Sequence, residues 1–157
     1  MAALTFARPL TPDDREALEP LDRDYAAAYG LGSVVTKSSV SFYVRSGHAF
    51  VAVRDAETVG FVFAQAVWNG TRPTVYVNRL AVTGAADAGD NEVREALLEA
   101  VTKSAYDAAV YDLQVQVPEA DGGAAQALTA KSYALTTERV YARVLGSRGL
   151  GVAGGEG

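Results

Sequence analysis

Residues 83–100, TGAADAGDNEVREALLEA, join an apolar strand pattern (75–82, VYVNRLAV) to a helical one. Junctions of this kind hold phosphates in many α/β proteins. Bare N–H groups and the positive helix end attract an anion, provided glycines let it approach and no other anion competes. This junction carries Asp87, Asp90 and Glu92 instead. Two like charges about 5 Å apart at an effective dielectric near ~20 repel by up to about 3 kcal/mol, roughly 100-fold in affinity. The acids also have a local reading: Asp90 as an N-cap and Glu92 as a first-turn acid, both satisfying the helix's own positive end.

Few other side chains are equipped for chemistry. The chain has no cysteine, which excludes disulfides, thiolate zinc sites, cysteine-ligated clusters and cysteine nucleophiles. Its single histidine, His48, cannot build a multi-histidine metal site and reads as a strand-edge residue, so no metal is expected. Asp112, Gln114 and Gln116 form a polar stripe that can read a polar ligand or face solvent. Glu119 and Asp121 read as loop and helix-cap acids. Fourteen basic against nineteen acidic residues give a net charge of −5, which argues against nucleic acid and anionic membranes as partners. The N-terminal MAALTFARPL lacks signal-peptide features, and no stretch approaches the ~20 apolar residues of a membrane span. A cytoplasmic protein is expected.

The elements that must position these residues fit one domain, 1–145, followed by a glycine-rich tail (146–157) expected to be disordered. Residues 3–8 read as a strand ending at Pro9. Thr11, Pro12, Asp13 and Asp14 then spell a helix start, and Leu18, Leu21, Tyr25, Ala28 and Tyr29 recur at helical spacing up to Gly30. Pro20 inside that pattern predicts a kink or a split. A second helix is expected at 38–46, then strands at 48–54, 59–68 and 74–82 with short connections, an antiparallel meander. Trp68, Phe61 and Phe63 are assigned to the core or a packed sheet face. A helix from near Asp90, a strand at 110–117, a helix at 122–134 and a closing strand at 137–145 complete the chain. The strand–helix–strand unit predicts a parallel crossover.

This order resembles the GNAT superfamily of N-acetyltransferases over about residues 4–145. The resemblance is carried by TFARPLTPDDREAL, FVAVRDAETVGFV, VYVNRLAV, EALLEAV and ALTAKSYAL, in that order and spacing. It implies an α/β fold with a mixed, mostly antiparallel sheet of six or seven strands flanked by about four helices. It also implies that acetyl-CoA or another acyl-CoA lies where strands four and five splay. The backbone of Leu80, Ala81 and Val82 would then hold the pantetheine arm, and the following loop the pyrophosphate.

The positions equivalent to that phosphate loop read Gly89, Asp90, Asn91, Glu92, Val93 and Arg94, so the family's basic residue, both glycines and the small residue are all replaced. TGAADAG can still shape a different loop, with Arg94 or Arg79 as counter-charge. Asn78 and Arg79 stand where the family often has a glutamate base, and neither accepts a proton at neutral pH. Tyr133, one turn beyond the family's tyrosine position, and Asp112 are the candidate acid and proton relay; Tyr133 packed against the final strand is the other reading.

Two functions follow. One is acyl transfer from acyl-CoA to a small-molecule or peptide amine through a non-standard site. The other is a non-catalytic small-ligand or protein-interaction module that has lost CoA binding. The resemblance also makes a homodimer plausible.

Overall fold

The computed structural model describes residues 4–68, 70–84 and 91–146. The expectations for Asp87, Gly89 and Asp90, and the disorder expected for 147–157, lie outside the described residues. The sheet runs β1 (Thr5–Pro9), β2 (Phe50–Arg54), β3 (Glu57–Trp68), β4 (Pro73–Val82) and β5 (Leu113–Val115), neighbours in that order. All pairs are antiparallel except β4 with β5, which are parallel, as the crossover predicts. The helices are α1 (Arg15–Tyr29), α2 (Lys37–Ser46), α3 (Glu92–Asp107) and α4 (Gly122–Ala130). Among the described residues no helix is long and apolar enough to cross a membrane.

Local chemistry starts and stops these elements. Asp14 folds back so that the Thr11 N–H donates to its carboxylate at 2.8 Å, while Arg8 clamps it through two bonds at 2.7 and 3.0 Å. Burial pushes the Asp14 carboxyl up, but Arg8 and Thr11 outweigh this and hold it below the usual carboxylate range. Gly30 and Gly47 end α1 and α2 in the left-handed conformation that favours glycine. Of the kink or split expected at Pro20, the split does not occur: α1 runs through Pro20 as a single helix. Its buried face of Leu18, Leu21 and Tyr25 spans the proline, so packing on both sides outweighs one missing backbone bond.

Two cores lie on opposite faces of the sheet. Leu18, Leu21, Tyr25, Val40 and Tyr43 of α1 and α2 cover Val51, Phe61, Phe63 and Ala81. Val93, Leu97, Leu98 and Val101 of α3 cover Val62, Ala64, Val75, Val77, Leu80 and Val82. Strict alternation cannot put Val77 and Leu80 on one face, since they are three residues apart. A bulge resolves this: Phe63 pairs with Arg79 and Ala64 with Val77, which leaves Asn78 as the extra residue.

Three expectations need correction. The sheet has five described strands rather than six or seven, because residues 137–145 are exposed and belong to no strand. Trp68, expected in the core or on a packed sheet face, is 70% exposed, because β3 runs beyond the helices that cover Phe61 and Phe63. The fourth helix ends at Ala130, short of 134, and Ser132 then takes a left-handed conformation that turns the chain away.

Among the described glycines, Gly60 leaves the least room for a side chain. A β-carbon there would stand 2.8 Å from Val93 Cγ1 and 2.9 Å from the Ala81 carbonyl oxygen. The carbonyl is backbone and cannot step aside cheaply. Gly60→Ala is expected to cost about 1–3 kcal/mol in urea unfolding; an unchanged midpoint would mean that α3 yields freely.

Candidate functional site

β4 and β5 pair only over Val75–Val77 and Leu113–Val115, with further bonds from the Val75 N–H to the Asp112 carbonyl at 2.9 Å and from the Gln116 N–H to the Val77 carbonyl at 2.8 Å. The bulge at Asn78 then bends β4 and the strands diverge. A cleft of about 120 Å³ occupies the gap, lined by Tyr25, Asn78, Arg79, Leu80, Gln116 and Pro118 among others. That is room for about four water molecules, against roughly 300–1,000 Å³ for ordinary small-molecule sites.

Two buried arginines bound this gap. Arg79, 7% exposed, donates to Asp22 Oδ1 at 2.8 Å and to the Gly32 carbonyl at 2.9 Å. Asp22, fully buried, also accepts the N–H groups of Val34 and Val35 at 2.7 and 3.3 Å. The pair fastens the α1–α2 connection to β4. Arg94 sits in the first turn of α3, 1% exposed, and donates to Asp121 Oδ1 at 2.8 Å and to Asn91 Oδ1 at 2.9 Å. Asp121 caps α4 by accepting the Ala124 N–H at 3.1 Å, and its other oxygen accepts the Tyr25 hydroxyl at 2.5 Å. Burial, then the Asp121 carboxylate, push the Tyr25 hydroxyl far above the usual phenol range, so it remains a donor.

The chain's connectivity gives this network its meaning. α3 follows β4 and α4 follows β5, so a bond from the first turn of α3 to the cap of α4 crosses the gap between the strands. Tyr25 reaches the same carboxylate from α1 on the other face of the sheet. A pantetheine arm laid along Leu80, Ala81 and Val82 toward α3 would have to pass through this bridge. The two arginines foreseen as counter-charge to a phosphate are both buried against carboxylates. At the start of α3, Asn91 takes the N-cap position foreseen for Asp90, and Glu92 reaches across to Arg54 at 2.9 Å.

Other candidates stand elsewhere. Asp112 pairs with Arg72 before β5 begins, at the opposite end of that strand from the cleft. The Tyr133 hydroxyl lies beside Thr102, eight residues or about 12 Å along α3 from Arg94, and burial raises its pKa. Neither lines the cleft. His48 is 7% exposed and its Nδ1 meets the Ser104 hydroxyl at 2.8 Å. No group of acids and histidines among the described residues could hold a metal ion.

Sequence reasoning gave Asp121 a cap and Tyr25 a core position, and missed that Arg94 joins them. The available signal was Arg94 itself, a cation in a helical first turn where acids are favoured. Such a residue needs a specific carboxylate.

The family model described as a protein of unknown function (DUF1999) matches residues 6–156. Among solved structures, wild-type TTHA1254 from Thermus thermophilus is 35% identical, with 90% of this chain and 98% of that one covered at a TM-score of 0.74. Aminoglycoside N-acetyltransferase AAC(6')-Iy, in complex with CoA, is 14% identical, with 92% and 97% covered at 0.73. Ribosomal-protein-alanine N-acetyltransferase from Brucella melitensis biovar Abortus 2308 is 18% identical, with 92% and 100% covered at 0.66. The last two likenesses show a shared fold, that of the GNAT acetyltransferases. No curated protein matches the chain.

Removing one partner of a buried pair strands the other's charge. Asp121→Ala is expected to cost about 3–5 kcal/mol in urea unfolding; a loss below ~1 kcal/mol would show that the bridge does not hold the two helices. His48 provides a pH test. Burial lowers its pKa from 6.5, so its contribution to stability is full above that value and is lost as pH falls through the lower, folded one. Unfolding free energy should decline below pH 6.5, and His48→Gln should flatten that portion of the profile.

Proposed function

This chain belongs to the DUF1999 family of proteins of unknown function, and on that premise we propose that it is a non-catalytic GNAT-fold module that has lost coenzyme A. What remains of the cofactor groove is the short cleft between β4 and β5, and its ligand is a small neutral polar molecule. One observation carries this reading: the buried Tyr25–Asp121–Arg94 bridge spans the gap through which the cofactor's arm would run. The lining supports the ligand class. The amide oxygens of Asn78 and Gln116 accept the Tyr43 and Tyr76 hydroxyls, which leaves their N–H groups as donors, and the charge of Arg79 is neutralised by Asp22. Among the described residues no carboxylate lines the cleft to attract an ammonium group.

Acyl transfer to an amine is the second reading, favoured by the strand splay beyond Asn78 and by likeness of fold to N-acetyltransferases. It would use the backbone of Leu80, Ala81 and Val82 and the start of α3 for an acyl-CoA, with Tyr133 and Asp112 as acid and relay. Against it, none of the polar side chains lining the cleft can take a proton from an ammonium at neutral pH.

Thermal unfolding with acetyl-CoA separates the two. A ligand at a hundredfold excess over its Kd stabilises by about 2.7 kcal/mol. We expect no shift at millimolar acetyl-CoA; a saturable rise in Tm would overturn the proposal and favour the acyltransferase.

A further inference from the structure

We propose that the surface beyond the C-terminal end of α3, around Trp68, Tyr111 and the Arg72–Asp112 pair, binds a neutral oligosaccharide. Alternation along paired strands builds it. Ala64 pairs with Val77 and Ala66 with Val75 on the α3 side of the sheet, so Trp68 and its partner Pro73 point to that side too. α3 ends at Asp107, short of them, and Trp68 is 70% exposed. The chain then turns through Ala109, φ 60°, and brings Tyr111 beside Pro73 from the other flank. Tyr106, in the last turn of α3, meets the Tyr111 ring edge to face at 5.6 Å and fixes its orientation. These two tyrosines are 69% and 68% exposed. Three large aromatic side chains thus stand open to water in one patch, which marks a surface that binds something.

The patch surrounds a recess of about 240 Å³, lined by Arg72, Pro73, Ala109, Tyr111 and Asp112. Trp68 and Tyr111 lie on the two segments that flank β4, about 10 Å apart at ordinary strand spacing. One small ring cannot cover both; a chain of rings can.

Aromatic faces alone would accept many ligands, and the ion pair beside them selects. Asp112 accepts from Arg72 through both carboxylate oxygens, from Nη2 at 3.2 Å and from Nε. Both side chains reach solvent. A guanidinium only donates and a carboxylate only accepts. Adjacent hydroxyls of a sugar do both: one donates to Asp112, its neighbour accepts from Arg72, and the C–H face of the ring lies on Tyr111. A proline-rich segment brings carbonyl acceptors without N–H donors, and gives Asp112 nothing. A quaternary ammonium would face the charge of Arg72. An apolar ligand would strip water from both charges and replace none of its bonds. The pair is neutral as a whole, as the ligand must be. The surface lies at the opposite end of β5 from the cleft, so the inference does not depend on what the cleft binds.

Trp68 is the chain's one tryptophan, so its fluorescence reports on this surface directly. The full chain is titrated with maltohexaose and with cellohexaose, neutral sugars that differ in linkage. At least one should move Trp68 emission to shorter wavelength along a saturable curve in the millimolar range. Tyr111→Ala should weaken that binding roughly tenfold. Asp112→Asn should weaken it too, with little change in the thermal midpoint, because an exposed ion pair adds little stability. A flat titration with both sugars would overturn the proposal, and so would full affinity in the Tyr111→Ala chain. Decaproline and tetramethylammonium are the comparison ligands. A saturable response to either, with none to the sugars, would give the surface to a proline-rich peptide or a cation instead.

Discussion

Arg94 and Asp121 meet at 2.8 Å where solvent reaches neither, and much of the molecule is arranged around that contact. A buried ion pair is stable only when geometry and additional hydrogen bonds offset the loss of hydration on both sides. The further bonds run to Asn91 at the cap of Arg94's own helix α3, to the Ala124 amide in α4, which Asp121 caps, and to the Tyr25 hydroxyl of α1. Three helices from two faces of the sheet converge on one carboxylate. Removing any one member strands the others, so the set contributes to the fold's stability as a unit.

Asn78 shows how a single extra residue prepares the ground for this. The bulge keeps Val75, Val77, Leu80 and Val82 on the α3 side and sends Arg79 to the other, where Asp22 meets it. It also bends β4 away from β5 after only three paired residues. Relatives of the fold include a protein described in complex with CoA. In this chain the flanks of the opening are joined by internal carboxylates and arginines. Strand splay is thus an architectural feature that chains of very different sequence share, and by itself it fixes no function.

From sequence alone the element order up to the fourth helix and the parallel crossover were legible. They rest on short-range signals: turn residues, caps, apolar period and charge. Helix ends at Gly30 and Gly47 follow from the same grammar, and even the bulge is written in the three-residue step between Val77 and Leu80. Continuity through Pro20, the exposure of Trp68 and the partner of Arg94 were decided only by the folded molecule. Each depends on what lies across space: a buried face spanning the proline, helices too short to reach the end of β3, and a carboxylate 27 residues further along the chain. The closing strand at 137–145 fails in one molecule for the same reason, because strand propensity is local and an edge to pair with is not.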